Sequence, residues 1–297
     1  MTLHVKVSGI GLLGPGLADW AGGCALLHDA GLWQPAVTAV PAPNRLPATE
    51  RRRAGLVVKA SIVVADEALS GSGLDPEAVA GLATVFSSST GDPSNCHLLC
   101  EALAAPQRLV SPTRFTNSVH NAPAGYWHIA TQSRAASTSL AAFDASFAAG
   151  LLEAAVQCVA SAAPVLLVAC DVPYPEPLHT VRPVADVFAV ALLLCPAAAD
   201  GRGLAIQTAP AAADIFTTRC AHEGLEAVRR GIPAARALPL LQALAGSSAA
   251  DVVIEGLSDM ALQVQVDVRA DLKAGVQANV RAELRTAPRG DPQAAPS

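Results

Sequence analysis

The sequence predicts an α/β fold, with a mainly parallel sheet covered by helices. Three observations carry this. Apolar runs of strand length alternate with helix-period segments along residues 5–208. The stretch around Pro164–Ala169 is apolar throughout, as expected of a strand buried on both faces. Hydrophobic residues make up 52% of 297 and charged residues 15%, enough to bury a large core and too apolar for disorder.

In order along the chain, Val5–Ile10 alternates apolar and polar residues and ends at Gly11, with Gly14-Pro15-Gly16 close behind, which reads as a strand entering a turn. Asp19 then precedes Trp20, Cys24 and Leu27 at helical spacing. Pro35, Pro41, Pro43 and Pro47 make 33–53 an irregular excursion. A helix follows over Ala54–Leu69, closed by Ser70-Gly71-Ser72-Gly73. Ala80–Phe86 is a strand running into the small polar turn Ser87–Gly91, which lacks the glycine spacing of a phosphate loop. Helices are predicted over Leu98–Ala105, over Tyr126–Thr131 after Pro123, and over Ala145–Ser161. Strands are predicted over Ser137–Ala142, Pro164–Ala169, Val184–Leu194 and Leu204–Thr208. Beyond residue 209 the pattern thins to helices at Glu223–Arg230 and Leu238–Leu244 and strands at Asp251–Ile254 and Leu262–Val268. The Pro/Ala/Gly-rich end is expected to be disordered.

The net charge of −5 and the absence of a basic run longer than Arg51-Arg52-Arg53 exclude a phosphate-neutralising surface, so no nucleic-acid partner is expected. The start has no signal-peptide pattern. The apolar run Ala154–Cys170 is shorter than the roughly 20 residues a bilayer needs. A soluble, cytoplasmic chain without a membrane span is expected. Seven cysteines stand singly. Cys96 and Cys100 flank His97 four residues apart, but further ligands are lacking, so reduced and mostly buried thiols are expected, with no metal and no cofactor.

One segment points to chemistry. Ser137–Gly150 is a strand turning sharply into a small-residue helix, with Asp144 at the helix start, where an aspartate caps free amides. Ser139 and Ser146 flank the turn without a G-x-S-x-G context or an evident His/Asp pair. This strand-turn-helix resembles the nucleophile elbow of the thiolase superfamily, and the resemblance places Asp144 where a reactive cysteine would stand. Val7-Ser8-Gly9-Ile10-Gly11-Leu12-Leu13-Gly14-Pro15 is similar to the opening strand of β-ketoacyl synthases, Ala54–Leu74 to their first long helix, and Ser111–Tyr126 to the segment beside their dimer interface. The likeness covers roughly residues 5–207. The two histidine motifs of an elongating synthase, of the HGTGT and GHxxGAAG types, do not occur in 208–297, whose only histidine is His222.

The resemblance implies a thiolase-like layered fold in one ketosynthase-like domain over 1–285, with an N-terminal half (1–207), a reduced second half (208–285) and a tail (286–297). It further implies a noncatalytic subunit of the chain-length-factor kind, in a short form as in aryl polyene pathways. Such a subunit would pair with an active β-ketoacyl synthase in polyketide, aryl polyene or fatty-acid-type elongation and would meet an acyl carrier protein only indirectly. Chain-length factors usually carry glutamine at the nucleophile position, so Asp144 departs from their pattern. No residue is assigned a catalytic role. Asn117, His120, Asn121, Tyr126, Ser139, Phe143, Asp144 and Phe147 are the residues expected near a substrate tunnel or the interface. The rival readings are a residual acyltransferase, hydrolase or malonyl decarboxylase using Asp144, Ser146 or Cys170, and a homodimeric scaffold.

Overall fold

The computed structural model describes residues 1–197, 203–210, 216–257 and 260–267. The chain runs β1 (Thr2–Leu13), α1 (Trp20–His28), α2 (Ala48–Arg53), α3 (Leu56–Ser70), α4 (Pro76–Ala80), β2 (Ala83–Ser87), α5 (Pro93–Ala104), α6 (Pro112–Thr116), α7 (Ala122–Thr131) and β3 (Ser137–Leu140). It continues through α8 (Ser146–Ser161), β4 (Val165–Asp171), α9 (Leu178–Val181), β5 (Phe188–Pro196), β6 (Gly203–Pro210), α10 (Glu223–Gly231), a 3₁₀ turn (Pro233–Ala237), α11 (Leu238–Ala245), β7 (Ala250–Glu255) and β8 (Met260–Asp267). The tail 286–297 and Val268, the expected end of the last strand, lie outside the described residues.

The eight strands among the described residues form one sheet in the order β3-β2-β4-β5-β1-β6-β8-β7. The α/β class and its helical cover stand, but the strand direction differs from expectation. Only β2 pairs in parallel, with β3 and with β4, while the other five pairings are antiparallel. An apolar run buried on both faces reads the same whichever way it points, so its pattern carries no direction. β4 and β5 show this: Val165, Leu167, Phe188, Val190 and Leu192 face one core, and Leu166, Val168, Ala189, Ala191 and Leu193 face the other.

One face packs α3 and α7 against the sheet, and the other packs α1, α8, the 3₁₀ turn and α11. The close approach of α3 needs glycine on β1: a Cβ at Gly9 or Gly11 would stand 1.9 Å from the Ala68 or Val64 carbonyl oxygen. The stretch Phe143–Ser161 has the length and apolarity of a membrane span, yet within it Phe147, Leu151, Ala154, Ala155 and Cys158 fill the core beneath the sheet.

The excursion after α1 contains the short helix α2, which the prolines hid from the sequence reading. No residue of α2 is buried, so it has no apolar face to announce it. The excursion is pinned by Trp33, whose Nε1 donates to the Pro15 carbonyl oxygen (3.0 Å), and by Thr38. The Thr38 backbone N–H donates to Asp186 Oδ2 (2.9 Å) and its hydroxyl to the Val187 carbonyl oxygen (2.9 Å). With Val187 engaged by Thr38, β5 starts at Phe188 rather than at Val184.

None of the seven cysteines is in a disulfide. Cys158, Cys170 and Cys220 are buried, but Cys96 and Cys100 are exposed, contrary to the expectation of mostly buried thiols. Helix α5 buries only Pro93 and Asn95, so its later turns, including Cys100, face solvent.

Candidate functional site

The parallel strands β2, β3 and β4 end together, and the residues that follow them build the site, as is usual at the carboxyl edge of such strands. Asp171, the last residue of β4, is fully buried. Its Oδ1 accepts four hydrogen bonds from the turn after β2: from the Ser89 and Thr90 amides (2.7 and 2.9 Å) and from the Ser88 and Thr90 hydroxyls (3.1 and 3.2 Å). Amides that would cradle an external anion thus hold an internal carboxylate. Among the described residues Oδ2 has no hydrogen-bond partner, and burial pushes the Asp171 pKa up to about 6 against the pull of those bonds.

The elbow follows β3. Phe143 takes a left-handed backbone conformation (φ 51°) that reverses the chain between strand and helix. Ser146 stitches the turn, accepting from the Ala142 amide (3.0 Å) and donating to the Phe143 carbonyl oxygen (2.7 Å). Its hydroxyl is committed to structure.

Asp144 does not cap the helix, which corrects the sequence reading. Helix α8 begins at Ser146, and the residue before it, Ala145, makes no side-chain cap. Two positions before the first helical residue, the Asp144 carboxylate is drawn instead to two guanidinium groups: Oδ1 accepts from Arg182 Nη2 (2.9 Å) and Oδ2 from Arg236 Nη2 (3.4 Å). Arg182 also donates from Nη2 to Ser89 Oγ (2.7 Å) and stacks its guanidinium 3.7 Å from the Phe143 ring centre. Arg236, from the 3₁₀ turn, pairs with Glu255 on β7. Glu255 also meets Arg229 Nη1 (3.5 Å), and Arg229 forks onto Glu226 (2.7 and 2.8 Å). Burial lowers the Arg236 pKa while Asp144 opposes the shift.

The other expected site residues divide. Asn117 and Tyr126 are buried and hold backbone together: Asn117 Nδ2 donates to the Arg53 carbonyl oxygen (2.8 Å), and its Oδ1 accepts from the Tyr126 hydroxyl (3.0 Å). Phe147, expected at a tunnel or interface, is enclosed in the core. His120 Nε2 lies 3.0 Å from the Ser88 carbonyl oxygen, over the turn after β2. Asn121 is exposed before α7 and makes no side-chain cap. Ser139 is half-buried on the edge strand β3. Cys170 is buried against α3, its Sγ 3.8 Å from the Val57 carbonyl oxygen, and burial drives its pKa far up, so it is no nucleophile. His222 caps α10 through Nδ1 and packs edge-on against Trp33 at 5.4 Å.

Arg182, Arg236 and Asp171 complete the site, and the sequence reading did not single out either arginine. Both stand in proline- and alanine-rich segments without a motif. Asp171 had one signal, an acid ending an otherwise apolar strand. Among the described residues, no histidine or thiol hydrogen-bonds Asp144 or Ser146. A cleft of ≈ 390 Å³ lies apart from the elbow, lined by Arg52, Arg53, Arg114 and Asp92 among others.

The family model described as the β-ketoacyl synthase N-terminal domain matches residues 28–248, most of the chain. The chain belongs to the β-ketoacyl synthase family. Solved structures similar to this family member include the ketosynthase ApeO in complex with its chain length factor ApeC from Xenorhabdus doucetiae. That likeness is 22% identical with a TM-score of 0.65, over 88% of this chain and 99% of that one. The ishigamide ketosynthase/chain length factor is similar at 15% identity and a TM-score of 0.64, over 90% and 100% of the two chains. A type II polyketide synthase ketosynthase in complex with its acyl-carrier protein is similar at 12% identity and a TM-score of 0.63, over 90% and 100%. At these identities the likeness establishes the thiolase-like ketosynthase fold. No curated protein matches.

Proposed function

We propose that this chain is a noncatalytic, chain-length-factor-like subunit that pairs with an active β-ketoacyl synthase in polyketide, aryl polyene or fatty-acid-type elongation. The observation that carries the reading is Asp144: where the resemblance calls for a cysteine thiolate, a carboxylate is clamped between Arg182 and Arg236. A carboxylate so held is a poor nucleophile, because both of its oxygens are engaged by guanidinium groups. Proton transfer in a condensation calls for an acid–base partner, and none hydrogen-bonds Asp144 or Ser146 among the described residues.

The surface supports the pairing. Among the described residues β3 is an edge strand, and because the Ala136 and Leu140 carbonyl oxygens accept from Thr84 and Ser88 on the β2 side, Ser137 and Ser139 turn their backbone groups outward. Phe115, Val119, Ile129 and Phe143 are exposed apolar side chains of the elbow, α7 and the segment before α7. In this reading residues 1–207 and the reduced half form one domain, its partner is a cysteine-bearing ketosynthase, and a carrier protein is met through that partner. Co-expression with full-length ketosynthases, followed by size-exclusion chromatography with light scattering, tests it. A one-to-one complex is expected, and a monomer that ignores every ketosynthase offered overturns the reading.

A further inference from the structure

Phe143 combines three properties that bear on binding. It is 64% exposed. Its φ of 51° is a conformation costly for a bulky side chain and retained where the surroundings impose it. Its ring is nonetheless held, under an Arg182 guanidinium that is itself fixed by Ser89 Oγ and by Asp144. An exposed aromatic ring fixed before it meets anything loses little freedom on binding, which is the character of an interface anchor. Phe143 also follows β3, an edge strand among the described residues, by three residues, so a chain that extends the sheet at β3 reaches the ring next.

We infer that Phe143 is the anchor with which this chain engages its partner synthase, and that Arg182 and Asp144 are positioning residues that present it. This rests on the pairing proposed above. It gives the elbow a use after the loss of its thiol: the turn that would aim a nucleophile into a pocket aims an aromatic ring outward.

The test is titration calorimetry of the chain against the ketosynthase that co-purifies with it, beside thermal melts of the isolated chain. Phe143→Gly, which accepts the left-handed backbone freely, is expected to weaken pairing roughly 10–100-fold. The melting temperature of the isolated chain should stay level or rise. A merely structural Phe143 gives the reverse, a lower melting temperature with affinity unchanged. Arg182→Ala should weaken pairing less, and the double variant no more than Phe143→Gly alone, because Arg182 acts through the ring. The inference is overturned if Ser139→Pro abolishes pairing while Phe143→Gly leaves affinity within about twofold, the spread of a neutral contact. It is equally overturned if Phe143→Gly disrupts only a homodimer of this chain. Failure of every ketosynthase to pair removes the parent reading, and this one with it.

Discussion

Replacing Asp171 by asparagine should change how stability depends on pH. The carboxyl is fully buried, and its pKa is pushed from 3.8 to about 6. A carboxyl whose folded pKa lies above its unfolded one binds its proton more tightly when folded. Its contribution is therefore fully present below the unfolded pKa and is lost as pH rises through the folded one. At 1.36 kcal/mol per pKa unit, that is about 3 kcal/mol in all, of which about 2 kcal/mol falls between about pH 4.5 and pH 7. Asparagine keeps an oxygen to accept the bonds from Ser88, Ser89 and Thr90 but does not titrate. Urea unfolding of both proteins across that range should therefore show the stability difference moving by about 2 kcal/mol in favour of the variant as pH rises. A difference that does not change with pH would refute the assignment of this titration to Asp171. Glu67, whose pKa burial raises to about 7 while the Leu12 and Trp20 amides pull it down, acts in the same direction in both proteins and cancels in the difference.

Other outcomes are expected from the site and the edge. The isolated chain should not condense acyl and malonyl units on a carrier protein; elongation detected by mass spectrometry and abolished by Asp144→Ala would contradict the noncatalytic reading. Ser139→Pro removes an amide that faces the open edge of β3, so it should break the complex in size-exclusion runs while barely changing the melt of the isolated chain. Asp144→Leu strands the half-buried Arg182 and the largely buried Arg236 and should cost about 1 kcal/mol in chemical unfolding. Asp144→Asn, which can still accept one of the two bonds, should cost less, and a leucine variant as stable as the parent would show that the clamp contributes nothing.

The parts of the fold that were legible are those whose pattern is local. β4, β5 and α8 announce themselves by unbroken apolar runs or helical spacing, and each was found within a few residues of its observed bounds. What was not legible is what the pattern does not encode. Strand direction is absent from a run buried on both faces, so five antiparallel pairings were read as mainly parallel. α2 has no buried face to leave a trace. At the site, Asp144 was legible because the strand-turn-helix around it is contiguous. Its partners lie 38 and 92 residues away, and spacing along the chain gives no hint of such contacts. The capping role expected of Asp144 fails for the same reason, since its carboxylate meets two distant guanidinium groups instead.

The second half of the chain shows how this sheet closes. On β6, β7 and β8, Ile206, Val252, Ile254, Leu262 and Val264 face the core, whereas Gln207 and Gln263 pair across the other face at 3.2 Å, beside the exposed Asp251 and Gln265. Such alternation belongs to antiparallel strands with one wet face, which need no further helical layer above them. The free side of β7 is engaged at its middle: the Thr218 amide donates to the Val253 carbonyl oxygen (2.9 Å), and the Val253 amide to Thr218 Oγ1 (2.8 Å), which leaves less edge for unwanted pairing. From this half, Glu255 on β7 holds Arg236, and Arg236 reaches Asp144 at the elbow. The second half therefore delivers to the elbow a fixed cation, which can hold an anion in place but cannot exchange a proton near neutral pH. A fixed cation of this kind suits an elbow that has to keep its shape, which is the part the proposed pairing role asks of it.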